Sequence, residues 1–143
     1  MTSLNQDFIR SFDDPKLEAL LETMFMAAYA DGEFSDEERS HFAKSVESLT
    51  DGRVTGPKFD ELMDRVVRDY MAGERSARLA SIKSRLADPG ACKVALALAV
   101  ELMAADGIVR TSERELILEI AEALDIDADA AADLVAKLTR SAQ

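Results

Sequence analysis

A chain of 143 residues with 17 basic and 28 acidic side chains has a formal net charge of −11, long enough to bury its own core and too acidic to favour a phosphate backbone or an anionic lipid surface. Hydrophobic residues make up 48% with no Trp and only 6% aromatics, so aliphatic and Met side chains must fill that core. The single Cys92 excludes an intrachain disulfide, and no apolar run approaches the roughly 20 residues of a membrane span.

Leu4, Phe8, Ile9 and Phe12 predict a short amphipathic helix docked on the rest. The residues around it lack the basic region and apolar core of a signal peptide, which sets a cytoplasmic expectation. Asp14 then reads as an N-cap, with Pro15 starting a helix whose stripe is Leu17, Leu20, Leu21, Met24, Phe25 and Ala28. Gly32 is suited to end it. Ser35 and Glu38 form a capping box for the next helix, which turns Phe42, Val46 and Leu49 inward.

Residues 50–57 hold two Gly and a Pro and read as a loop. Phe59, Leu62, Met63, Val66, Val67, Tyr70 and Met71 make a helical stripe that Gly73 breaks. Leu79, Ile82 and Leu86 mark a shorter connecting helix that stops before Asp88-Pro89-Gly90. Residues 91–105 are apolar nearly all round, as in a central buried helix, with Lys93, Ala97 and Glu101 as the one exposed edge. Ile117, Ile120, Ala121 and Leu124 give the next buried face. Asp127 caps a last helix carrying Ala131, Leu134, Val135 and Leu138. The expected fold is all-α: a single-domain bundle of seven to eight helices, without strands. It reads as two similar units (about 15–72 and 91–140) joined by a linker helix over 74–88.

One phrase occurs twice. Ala30-Asp31-Gly32-Glu33-Phe34-Ser35-Asp36-Glu37-Glu38-Arg39 recurs in worn form as Ala105-Asp106-Gly107-Ile108-Val109-Arg110-Thr111-Ser112-Glu113-Arg114, at a constant offset of 75 residues. Each copy joins an apolar helix to an amphipathic one. Asp31, Glu33, Asp36, Glu37 and Glu38 crowd five carboxylates into eight residues, which repel unless solvent, backbone donors or a cation relieve them. Hard cations such as Ca2+ and Mg2+ take oxygen ligands of this kind.

The phrase is not an EF-hand loop. Aligned on Gly32, the first two ligand positions of such a loop fall on Ala27 and Tyr29, and in the second copy on Leu102 and Ala104, none of which carries a carboxylate. Two readings stay open. Glu38 and Glu113 lie near helix N-termini, where negative charge is favoured by roughly 0.3–1 kcal/mol, so the acids can brace the turns and do nothing more. Alternatively they brace the turns and also hold a cation or a partner. The first loop is the stronger candidate, because Ile108 and Arg110 replace Glu33 and Ser35 in the second.

His41 has no companion and reads as a solvated helix residue, Cys92 as a small core residue, and Met24, Met63, Met71 and Met103 as core. No phosphate loop, serine elbow or zinc spacing occurs, and no enzymatic activity is expected.

Residues 28–38, with Ala104-Ala105-Asp106-Gly107 and Ile120-Ala121-Glu122-Ala123-Leu124-Asp125-Ile126, resemble a TerB-like tellurite-resistance protein over roughly residues 15–130. The resemblance implies an all-helical bacterial stress-response protein with two similar halves and an acidic cluster that binds a metal ion. Carried over by position, that cluster comprises Asp31, Glu33, Glu37, Glu38, Asp106 and Glu113, with Ca2+ or Mg2+ as the ion. The family's second loop often keeps an acid where Ile108 stands here. The implied partner is a protein, basic or part of a membrane-associated complex, with no nucleic acid and no insertion into the bilayer. The alternative is an acidic helical adaptor that binds protein without metal.

Overall fold

Asp13 accepts a hydrogen bond from the Lys16 amide at 3.1 Å, so the first full helix, α1 (Asp14–Ala28), is capped one residue earlier than the sequence suggests. Asp14 instead occupies the first turn, where a carboxylate faces the positive end of the helix dipole. This computed structural model describes residues 9–29, 34–104 and 111–141. After α1 come α2 (Asp36–Leu49), α3 (Pro57–Ala72), α4 (Arg75–Leu86), α5 (Pro89–Met103), α6 (Thr111–Ala123) and α7 (Ala128–Ser141), and no strand occurs among the described residues. The fold is all-α. Of the N-terminal amphipathic segment, Ile9 and Phe12 are buried, while Leu4 and Phe8 lie outside the described residues.

Two helices form the centre. α5 is buried on nearly every face, with Lys93 and Glu101 exposed and Ala97 half-buried along the expected edge. α1 is the second central helix. Its stripe predicts an amphipathic element, yet every residue from Ala19 to Ala27 is buried, Glu22 and Thr23 included. The reason is packing on all sides: α1 touches α3, α4, α5 and α6. Thr23 satisfies its hydroxyl by donating to the Ala19 carbonyl at 2.9 Å, a back-bond within the helix. α7 packs on α5 and α6 at the edge of the bundle.

The helix ends explain how the chain turns. α2 and α6 both finish in a Schellman motif with an aspartate in the left-handed position usually held by glycine. Asp51 (φ +53°) leads the Gly52 amide back to the Glu47 carbonyl at 2.9 Å. Asp125 (φ +59°) leads the Ile126 amide to the Ala121 carbonyl at 2.7 Å. Each aspartate also meets a cation, Arg10 at 2.9 Å for Asp51 and Lys83 for Asp125. Thr50 closes the α2–α3 loop, donating to the Val46 carbonyl at 2.7 Å and accepting from the Val54 amide at 3.2 Å.

Met71 departs from the expected core. It is 52% exposed although Tyr70 in the same turn packs on Phe25, because Met71 lies about 140° around the helix from Val66, at the flank of the buried face. Met24, Met63 and Met103 are buried as expected.

Between α4 and α5 the chain makes a strained bend. Ala87 has φ +70° and ψ −35°, and the Asp88 amide reaches the Leu86 carbonyl at 2.8 Å across it, a γ-turn of the rarer hand. A side chain held there costs about 1–3 kcal/mol. Glycine would relieve the clash while adding about 0.5–1 kcal/mol of chain entropy to the unfolded state. The relief outweighs the entropy, so Ala87→Gly is expected to raise unfolding free energy by about 0.5–1 kcal/mol in urea titration.

Candidate functional site

The acidic phrase begins where α2 begins. Ser35 accepts from the Glu38 amide at 3.1 Å, and the Glu38 carboxylate accepts from the Ser35 amide at 2.9 Å through Oε1, completing the expected capping box. Asp36, Glu37 and Glu38 share the exposed first turn, where the helix dipole eases their mutual repulsion. Glu113 is half-buried in the first turn of α6. At the offset that matches Ser35 the second copy of the sequence has Arg110, whose side chain has no oxygen acceptor; it lies outside the described residues.

Of the six acids expected to form a cation site, Glu37, Glu38 and Glu113 are described; Asp31, Glu33 and Asp106 lie outside the described residues. Among the described residues no group of three or more His, Cys, Asp or Glu side chains is placed to hold a metal ion. The helical acids therefore do not suffice for an ion site by themselves. Such a site needs the loop acids as well.

Aromatic rings fix the ends of the first loop. Tyr29, the last described residue before it, stacks on Phe25 with centroids 5.4 Å apart. Phe34, the first described residue after it, meets the same ring edge-on at 5.2 Å. Tyr70 of α3 closes on Phe25 at 5.5 Å, and Phe34 continues through Phe42 to Phe59. Such pairs contribute about 0.5–1.5 kcal/mol each beyond area burial. The same offset puts Val100, Ala104, Val109 and Ile117 where the first half has Phe25, Tyr29, Phe34 and Phe42, so the second loop lacks this aromatic clamp.

A second polar constellation was invisible to hydropathy. Glu22, 1% exposed in the middle of α1, receives Arg78 in a two-pronged pair at 2.7 and 2.8 Å and Arg85 at 2.7 Å, both from α4. One turn earlier, Glu18 accepts from Arg65 of α3 at 2.8 and 3.0 Å and lies 3.7 Å from Arg85. The Glu22 hydrogen bond raises the Arg78 pKa further, and Glu18 does the same for Arg65, so these guanidiniums stay charged throughout the stability range. The available sequence signal was spacing. Glu18 and Glu22 are four apart on one helix, and Arg78 and Arg85 are seven apart on another, so each pair shares a face. The cluster's groups are all mutually paired, which suits a structural rivet better than a reactive centre.

The remaining titratable groups follow their surroundings. Burial pushes the Cys92 thiol up, which makes it a poor nucleophile in the folded state, and His41 is exposed. Asp88 is held below the usual carboxylate range, first by the Ala91 amide that it caps at 2.8 Å and then by Lys16 at 3.5 Å. Glu101 projects outward, yet neighbouring apolar side chains desolvate its carboxyl and raise its pKa.

Replacing Glu22 with Gln leaves two arginines facing a neutral amide, and with those arginines still 20% exposed the loss falls at the low end for a broken buried pair, about 3 kcal/mol. Chemical denaturation of Glu22→Gln, Arg78→Ala and the double variant should show strong non-additivity. For Glu101, a raised carboxyl pKa means the folded state disfavours the anion. Its contribution is most favourable at low pH and is lost as pH rises through the folded value. Glu101→Gln should therefore raise the melting temperature at pH 7, with the gain fading as pH falls through the ordinary glutamate range. Compared with family models, curated proteins and solved structures, the chain matches none.

Proposed function

We propose that this chain is a non-enzymatic, TerB-like module of bacterial tellurite and general stress resistance, built from two similar helical halves, whose Asp-Gly connectors bind Ca2+ or Mg2+. The observation that carries the reading is a shared spacing. α1 and α5 begin at residues 14 and 89 and end at 28 and 103. α2 and α6 begin at 36 and 111. The Asp-Gly phrase recurs at the same 75-residue offset inside each connector. Matched helices joined by matched acidic connectors argue for a task that uses the recurring acids, beyond capping.

The ligand set would be Asp31, Glu33, Glu37, Asp106 and Glu113, with Glu38 contributing the carboxylate oxygen that Ser35 does not take. Oxygen-only ligands suit a hard divalent cation. The aromatic clamp on Tyr29 and Phe34 holds the ends of the first connector, which lowers the entropy lost when its acids converge on an ion. Direct chemistry on tellurite is disfavoured. The chain carries net charge −11, which repels an oxyanion, and its one thiol is buried with a raised pKa. A role in tolerance would then run through a protein partner, basic or part of a membrane-associated complex. No described helix is long and apolar enough to cross a membrane.

The second reading, an acidic adaptor that needs no metal, is favoured by the exposure of Asp36, Glu37 and Glu38 on one helical turn. A basic partner would meet this face in a salt-sensitive way. Thermal melting separates the two readings. Millimolar Ca2+ or Mg2+ should raise the melting temperature relative to chelator, and Asp31→Asn with Asp106→Asn should remove the gain. Identical curves in chelator and metal would leave the adaptor reading. That reading in turn predicts salt-sensitive co-purification, weakened when Glu33, Asp36 and Glu37 are neutralised.

A further inference from the structure

The last helix supplies a surface that the acidic connectors do not use. Residues 128–137 of α7 include five alanines, and side chains this short leave a trough of about 580 Å3 between α7 and α6. Its buried lining is apolar, formed by Ile117, Ala131 and Val135. Leu118 is 45% exposed, and Ala132 and Ala136 on the facing wall are exposed too, so the trough opens to solvent. Leu118 and the exposed alanines together make one apolar strip that a docked partner would cover.

Charge selects the occupant. Between residues 111 and 137 there are eight carboxylates and two cations; the trough itself is lined by one of each, Asp133 and Arg114, so the negative field comes from the acids around it. Glu119 and Asp125 already face Arg75 and Lys83 of α4, while Glu115, Glu122, Asp129 and Asp133 are exposed. A field of this sign repels an anionic bilayer and a second copy of this acidic chain. It attracts a cationic segment and speeds its encounter. An open trough between two helices fits the helix-in-groove mode, with large side chains at one-turn spacing filling space that alanines leave.

We propose that the α6–α7 trough docks a basic amphipathic helix of a protein partner, its aliphatic stripe seated against Leu118, Val135 and Ala136 and its Lys or Arg residues facing the surrounding carboxylates. The site is separate from the Asp-Gly connectors and does not depend on the cation reading.

The test uses the full-length chain and a fluorescent 18-residue Leu/Lys peptide with its leucines on one helical face, followed by anisotropy. A scrambled peptide of identical composition controls for charge alone. The helical peptide should bind at least about tenfold more tightly than the scrambled one. Leu118→Ser should weaken binding about fivefold to tenfold, and Ala132→Lys should weaken it further. Both substitutions fall on exposed helical positions, and circular-dichroism melting verifies that each variant folds. Asp36→Asn with Glu37→Gln should leave the helical peptide's affinity within about twofold, which separates this trough from the connector acids. Equal binding of the two peptides, or no loss in Leu118→Ser, would overturn the proposal. So would concentration-dependent dimerisation in sedimentation that Leu118→Ser abolishes, because a second copy would then be the occupant.

Discussion

The carboxylate of Glu22 sits where the hydrophobic effect alone would place a leucine, and the arrangement of α1, α3 and α4 follows from satisfying it. A lone charge buried this deeply would be prohibitively unstable, so α4 must dock in the one register that brings both Arg78 and Arg85 to it. Their seven-residue spacing amounts to two helical turns on one face, which fixes both the rotation and the axial position of α4 against α1. Glu18 and Arg65 extend the same constraint to α3. In net free energy such a cluster contributes little compared with well-packed aliphatic side chains. Its effect is discriminatory: an alternative packing of these helices strands several charges at once, whereas slippage of Leu against Leu is cheap.

α4 is unusual in this acidic chain. Residues 75–86 contain four cations and no acid. One face carries Arg78 and Arg85 to α1. Arg75 reaches Glu119 of α6 at 3.0 Å, and Lys83 reaches Asp125 at the end of α6. This helix therefore works as a positively charged bolt between α1 and α6, pairing with acids of both. The exposed pairs contribute little individually. The carboxylates left on the first turn of α2 and along α6 and α7 are those the bolt does not reach, so the surface field is concentrated away from the linker.

The helices were legible because their stripes are regular: Phe59, Leu62, Met63 and Val66 are spaced as a buried face requires, and they are buried. Capping was legible where the residue types are unambiguous, as at Ser35 and Glu38. At α1, two adjacent aspartates offered equal chemistry, and only the backbone decided for Asp13. Glu22 was not legible, because a hydropathy pattern assigns every glutamate to solvent and cannot see a partner 56 residues away. Met71 failed for the opposite reason. Periodicity tells which face of a helix is apolar, not how wide a strip of that face its neighbours cover, and Met71 stands at the edge of the strip. At the connectors, the sequence pointed to Asp31 and Asp106 as recurring acids, and both lie outside the described residues.

The two helix pairs share their spacing and differ in what they pack. At position 22 the first pair has a buried glutamate and at position 97 the second has alanine. Where the first has Phe25 and Phe42, the second has Val100 and Ile117. The first pair thus carries a buried ion-pair cluster in mid-helix and aromatic contacts at the ends of its connector, both directional. The second pair relies on small aliphatic side chains, which pack without directional demands and, at α7, leave space unfilled. Equal backbone spacing therefore carries unequal packing: directional ion pairs and ring contacts in the first helix pair, small aliphatic contacts in the second.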